Sequence, residues 1–389
     1  MSENGVAGLF LKEKARLLKQ IGLFTDIRKN PQIKLTHIVL SVLLMPFFSL
    51  HSLLSLDRVS RRSEFKKYLG CTRKMVASDS TISRALHWLK PEQLEQFQRS
   101  FLPLFEQQDL SRTQLAPGGP YRRIGILDGS QMAQHHPVAL CLAGKSDYPV
   151  MVMDARSRGK ELPTAKRMIQ QAAKLLGSSF PELFVLDSLY FNKPVFDLLR
   201  AQGVHVLIKS DQPSFREVLE DAQYLFENKK DVVTPVTEKD GFDPIRLCAW
   251  SMEIASGVYA GYPLQIAHLV EDYLKRKTYQ HLQCWIVTTD LGLQPEEIRE
   301  AAHLRWHIEN NTFKRLSHHT GTKRFYFKDP KAFFAMLHLF CTAIALLDIL
   351  LHILSRNELL FKGLLQGIKQ TWKNVFSQLE PALEANIFA

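Results

Sequence analysis

The sequence predicts a mixed α/β protein flanked by helical regions, and three observations carry that expectation. Short runs rich in β-branched residues, Ile124–Asp128, Leu183–Asp187 and Val204–Lys209, have the length of buried strands. Between them lie amphipathic stretches, Leu162–Leu176 and Lys193–Gln202, with the spacing of helices. Both ends of the chain have apolar positions three and four residues apart and few β-branched runs, which is a helical pattern.

Taken in order, residues 1–115 form a helical region. The segment Leu110–Pro120 carries Ser111, Pro117, Gly118, Gly119 and Pro120, a linker composition. The α/β core begins at 116, with strands at Asp128, around Val138–Leu142 and around Val150–Asp154, and runs to 211. Strands that come first in antiparallel order and then alternate with helices describe a mixed sheet. Residues 212–282 read as a β-rich insertion of short extended runs. The core resumes over 283–330 with a strand at Cys284–Thr288 and one long helix from Pro295 to Leu316, whose first turn holds Glu296 and Glu297. Residues 331–389 are helical and apolar, ending in a basic tail with Lys362, Lys369 and Lys373.

Of 389 residues, 46% are apolar, which argues for a folded chain with a substantial core. Lys and Arg number 50 against 39 Asp and Glu, and the net charge of +11 points to a polyanionic partner, nucleic acid before anionic membrane. Five scattered cysteines without a C-x-x-C pair fit reduced thiols rather than a zinc or redox centre. The first twenty residues lack the apolar segment of a signal peptide, so a cytoplasmic, nucleoid-associated protein is expected. Two apolar stretches, Ile38–Leu54 and Leu337–Leu354, are interrupted by Pro46 and His51 and by His338, Asp348 and His352. They read as buried helices, with no membrane partner.

Within the first region, Asp57–Lys74 gathers Arg58, Arg61, Arg62, Lys66, Lys67, Arg73 and Lys74. A turn at Gly70 and a short helix over Ser78–Leu89, capped by Ser78 and Asp79, follow. That order resembles a helix-turn-helix reading head with Arg84 on its second helix facing DNA; the alternative is a solvated charged face.

The chemistry rests on three acids. Asp128 and Asp187 each close a strand, where a sheet meets solvent, and Glu309 sits in the helix after the insertion. Three carboxylates brought together would bind hard divalent cations. Singly, each has another reading: Asp128-Gly129 as a hairpin turn, Asp187 as a helix cap, and Glu309 as the i+4 salt-bridge partner of Arg305.

The motifs Leu127-Asp128-Gly129-Ser130, Leu186-Asp187-Ser188-Leu189-Tyr190 and Arg305-Trp306-His307-Ile308-Glu309-Asn310-Asn311, with Phe313-Lys314 and the Gly159-Lys160-Glu161-Leu162 element, resemble the DDE transposases of bacterial insertion sequences. The likeness is to the branch with a β-strand insertion before the last acid, and it covers roughly residues 60 to 350. It implies a ribonuclease-H-like core and Asp128, Asp187 and Glu309 as a metal-binding catalytic triad. Two Mg²⁺ ions about 4 Å apart, replaceable by Mn²⁺, would neutralise the attacking and leaving oxygens of a phosphodiester. The implied partner is double-stranded DNA, both element ends and target, bridged by a homodimer. Arg305 is the candidate phosphate ligand. The family's pattern has a Tyr three residues before that Arg and a Lys seven after the Glu; Ala302 and Leu316 stand there instead. Lys314, Arg315 and His303 are the candidates to replace those contacts. Trp306 is expected as a packing anchor, with stacking on a flipped base as the alternative. The pairs His135-His136 and His318-His319 are expected on loops as polar or DNA-facing residues, and Glu161 as a helix N-terminal acid. No Walker A loop, Rossmann glycine pattern or G-x-S-x-G elbow is present, so nucleotide hydrolysis, hydride transfer and serine-hydrolase chemistry lose support. Two further functions fit the same core: a metal-dependent nuclease without strand transfer, and a relic that only binds DNA.

Overall fold

The computed structural model describes residues 16–62, 77–157, 159–210, 216–228, 234–235, 246–253, 263–275, 278–322 and 326–355. Two compact units emerge, one built from the chain up to Leu104 together with the chain from Leu316, the other from Phe105 to Arg315.

The first unit is helical. Leu35–Phe47 packs on Pro330–Ser355, a 26-residue helix that also meets Asp79–His87 and Pro91–Arg99. The long helix is apolar enough by length and composition to cross a membrane, yet 72% of that window is buried. Its polar side chains are accommodated internally, as where His338 Nδ1 and Gln98 Oε1 meet at 2.6 Å. The expected Ser78–Leu89 helix forms over Asp79–His87 with Ser78 accepting the Thr81 amide, and Arg84 is exposed. Leu53–Ser60 precedes it, with a capping box between Ser52 and Ser55. The proposed turn at Gly70 and the cations Lys66, Lys67, Arg73 and Lys74 lie outside the described residues, as does the basic tail after Ser355.

The second unit holds the sheet. A two-stranded ribbon, β1 (Thr113–Gln114) with β2 (Tyr121–Arg122), precedes β3 (Ile124–Gly129), β4 (Pro137–Ala143), β5 (Tyr148–Asp154), β6 (Leu183–Asp187), β7 (His205–Ser210), β8 (Thr234–Pro235), β9 (Arg246–Glu253), β10 (Pro263–Lys275) and β11 (Thr278–Thr288). The last nine form one mixed sheet in the order β5-β4-β3-β6-β7-β11-β10-β9-β8. The pairs β3–β6 and β6–β7 are parallel, and every other neighbouring pair is antiparallel. Parallel neighbours need crossovers, which the helices Glu161–Leu176 and Lys193–Ala201 supply. The central strands are buried on both faces, hence their continuous apolar runs. This is the mixed α/β core the sequence predicts, compatible with a ribonuclease-H-like fold.

Several local expectations change. The region 212–282 is not purely extended: Arg216–Asn228 is a helix, burying Val218 and Ala222 one turn apart. The strands beyond it continue the core sheet, because β11 pairs with β7. Asp128-Gly129 is not the hairpin turn. Both residues stay paired to β4, and the chain reverses around the Met132–His135 bridge.

Gly144, at the end of β4, sits where the backbone of residues 110–112 crosses. A Cβ there would fall onto the Leu110 carbonyl, a backbone group that no rotamer change can move aside. Gly144→Ala should therefore destabilise this unit by about 3 kcal/mol, lowering its melting temperature by roughly 6–12 °C in a thermal scan.

Candidate active site

The site forms where parallel strands end. The β3–β6 register ends with Ile126 paired to Val185, and Asp128 and Asp187 each lie two residues beyond that last pair. On the next strand Lys209 pairs with Asp187. The carboxyl ends of such strands are where open α/β sheets hold ligands. Asp128 is buried, and its Oδ1 accepts the Gly129 amide at 2.8 Å. Asp187 accepts the Ser188 amide at 2.6 Å and so caps the short turn Ser188–Tyr190, as the sequence allowed.

The helix after the insertion brings the third acid. It begins at Pro295 with a capping box between Gln294 and Glu297 and packs along β6 and β7. It is not one regular α-helix to Leu316: Pro295–His307 passes into a π-helix over Ile308–Phe313 and returns to α over Lys314–Thr320. Such π turns occur often at functional sites. Arg305 Nη1 lies 3.1 Å from Glu309 Oε1, 3.5 Å from Asp128 Oδ2 and 3.9 Å from Asp187 Oδ2. One guanidinium nitrogen thus sits among all three carboxylates.

That cation bears on whether the acids suit a metal. As placed, no group of three or more His, Cys, Asp or Glu among the described residues is drawn close enough to hold one ion. The donor set nonetheless fits a hard divalent cation, since all three groups are carboxylates and a positive charge already lies between them. Asp128, Asp187 and Glu309 are the residues that would hold it.

A fourth acid is near. Glu161 opens its helix, as expected, but its carboxylate also takes the Tyr190 hydroxyl at 2.6 Å and lies against Gly129, where a Cβ would overlap it. Tyr190 is fully buried, and burial, with Glu161 beside it, pushes its phenol well above the ordinary value. Burial likewise pushes Asp128 up to about 7; Arg305 pulls against this, while Glu161 and Glu309 add to it.

A pH dependence follows for the metal-free chain. Between about pH 4 and about pH 7 the unfolded Asp128 is ionised and the folded one holds its proton, so folding stability falls as pH rises through that window. Melting temperatures measured in a chelator from pH 4 to 8 should show this fall. Asp128→Asn, which has no proton to lose, should flatten it.

The other sequence candidates separate. Trp306 is half-buried, with Lys209 Nζ 3.9 Å from its ring centroid and His303 beside it, so it has an anchoring contact. Lys314 is exposed and Arg315 half-buried at the start of the last helical segment. Ala302 and Leu316, where the family pattern has Tyr and Lys, are buried and serve the core. His318-His319 is helical rather than in a loop, and His135 is buried rather than at the surface. Arg84 belongs to the helical unit.

The chain matches the family described as the transposase DDE domain over residues 138–346, more than half its length. It belongs to that family. The match begins beyond Asp128 and includes Asp187, Arg305 and Glu309. No curated protein matches the transposase.

Two residues with no role in the sequence analysis now have contacts at the site, Lys209 under Trp306 and Asp147 beneath the π-helix, where it meets His307 at 3.4 Å and Asn311 at 2.9 Å. The pairing of Lys209 with Asp187 was implicit in the parallel strand order. Asp147 had no signal, being one polar residue of a turn.

Proposed function

We propose that this transposase cuts the ends of its own insertion sequence and joins them to target DNA, using Asp128, Asp187 and Glu309 as ligands for two divalent ions. The observation that carries the reading is the convergence of the three carboxylates on the Arg305 guanidinium at the ends of two parallel strands. When bound, Mg²⁺ or Mn²⁺ would supply charge neutralisation on the attacking and leaving oxygens. Asp128, the most buried of the three, would hold the ions together with Asp187 and Glu309.

Arg305 has two roles in this account. It balances the three acids, and with metal bound it would be free to meet a backbone phosphate, which its planar fork suits. Lys314, exposed beyond Glu309, and Arg315 extend the positive track along DNA. Trp306, held over Lys209, lends an aromatic wall beside the strand. Arg84, on the exposed face of its helix, contributes to recognition of the terminal repeats. The nucleophile is water in strand cleavage and a 3′-hydroxyl in strand transfer. A dimer bridging two ends is the active form.

The test is an incubation of the purified chain with labelled DNA carrying its element ends and Mg²⁺. Nicking at the element boundary and joining of the released 3′ ends to a target are expected. Nicking without joining would support a nuclease instead, and end binding without nicking a DNA-binding relic.

A further inference from the structure

We propose that Asp147 is the positioning residue that fixes the rotational phase of the Glu309-bearing helix, an inference that rests on Glu309 being a metal ligand. A helix turns about 100° per residue, so residues two positions apart lie on nearly opposite faces. Arg305 and Glu309, one turn apart, share the face toward Asp128 and Asp187. His307 and Asn311, two residues to either side of Glu309, share the other. That second face meets Asp147: Asn311 Nδ2 donates to Asp147 Oδ2 at 2.9 Å, and His307 Nδ1 lies 3.4 Å from Oδ1.

Three features make this more than a passing contact. The Asp147 side chain is 1% exposed, so turning the helix away would strand a buried carboxylate, a costly outcome. The helix at this point is π-type over Ile308–Phe313, without the regular α ladder to set its phase. Glu309 itself is half-exposed, and its 3.1 Å contact is with Arg305 on its own helix rather than with the sheet. Asp147, by contrast, sits between β4 and the fully buried Tyr148, and Thr312 Oγ1 adds a 3.4 Å contact to Cys141 Sγ on β4. Glu309 is therefore aimed from behind, by a carboxylate that faces away from the reacting centre.

The experiment replaces Mg²⁺ with Fe²⁺ in the full chain and generates hydroxyl radicals with ascorbate and peroxide, which cut the backbone beside the bound ion. The parent should be cut near residues 128, 187 and 309. In Asp147→Leu the cut near 309 should fall about tenfold relative to those near 128 and 187, as loss of a ligand's supporting hydrogen bonds commonly costs. Asp147→Asn, which still accepts from Asn311, should restore most of it. Asn311→Ala, which removes the amide donor but keeps Asp147 and its His307 contact, should reproduce the loss, and decides the matter should Asp147→Leu not fold. An unchanged ratio in these variants, or an equal fall at all three positions, would overturn the positioning role. A parent that is cut at none of them would overturn the metal site instead.

Discussion

Asp128→Asn and Asp187→Asn should each lower Mg²⁺-dependent cleavage of end DNA by at least about a thousandfold, because several kcal/mol of charge stabilisation in the transition state depend on anionic ligands. Asparagine keeps the shape and the local hydrogen bonds: at position 128 its side-chain oxygen can still accept the Gly129 amide, and at 187 the Ser188 amide. The loss should therefore come without unfolding. At 128 it should come with a gain, since ionising this buried carboxylate at pH 8 opposes folding. A variant that melts higher and cuts far less than the parent is the signature of a group kept for chemistry at the expense of stability. Melting curves in chelator and cleavage rates at pH 8, on the same preparations, give both quantities.

Arg305→Gln should have the second largest effect, with opposite signs in two measurements. Removing the guanidinium leaves Asp128, Asp187 and Glu309 without the cation that lies within 4 Å of each, so the metal-free chain should melt lower. The rise in melting temperature on adding Mg²⁺ should be larger than in the parent, because the ion then relieves repulsion that Arg305 no longer offsets. Cleavage should nonetheless fall by about a hundredfold or more, through loss of a cationic donor to the phosphate. In Asp128→Asn the penalty of also removing Arg305 should shrink, since the two groups interact and their effects are not additive. An Arg305→Gln chain with parental cleavage would reduce Arg305 to a counter-ion.

The parts of this arrangement that were legible in the sequence are those governed by local rules. Buried strands show as apolar runs, and a carboxylate closing such a run marks the point where sheet meets solvent; Asp187 lies there half-buried, whereas Asp128 is buried one residue before the end of its strand. Pro295 with Glu296 and Glu297 announces a helix start, and the structure begins the helix at Pro295. What local pattern could not supply was the far partner. Asp147 meets residues 160 and 164 positions away, and Lys145-Ser146-Asp147 reads as an ordinary polar turn. The π segment was hidden because the apolar spacing on either side fits a single α-helix. His135 looked polar and proved buried, a matter of tertiary packing that no periodicity encodes. The helix Arg216–Asn228 differs: Val218 and Ala222 carry helical spacing, but the extended runs that follow them in sequence mask it.

When DNA is bound, the three carboxylates should release Arg305 and close on divalent ions. Anomalous scattering from Mn²⁺ in crystals of the full chain with its end DNA tests it most directly. Manganese should lie between Asp128, Asp187 and Glu309, with the Arg305 guanidinium on a phosphate. Manganese held elsewhere, or an Arg305 still lodged among the three acids beside bound DNA, would contradict it.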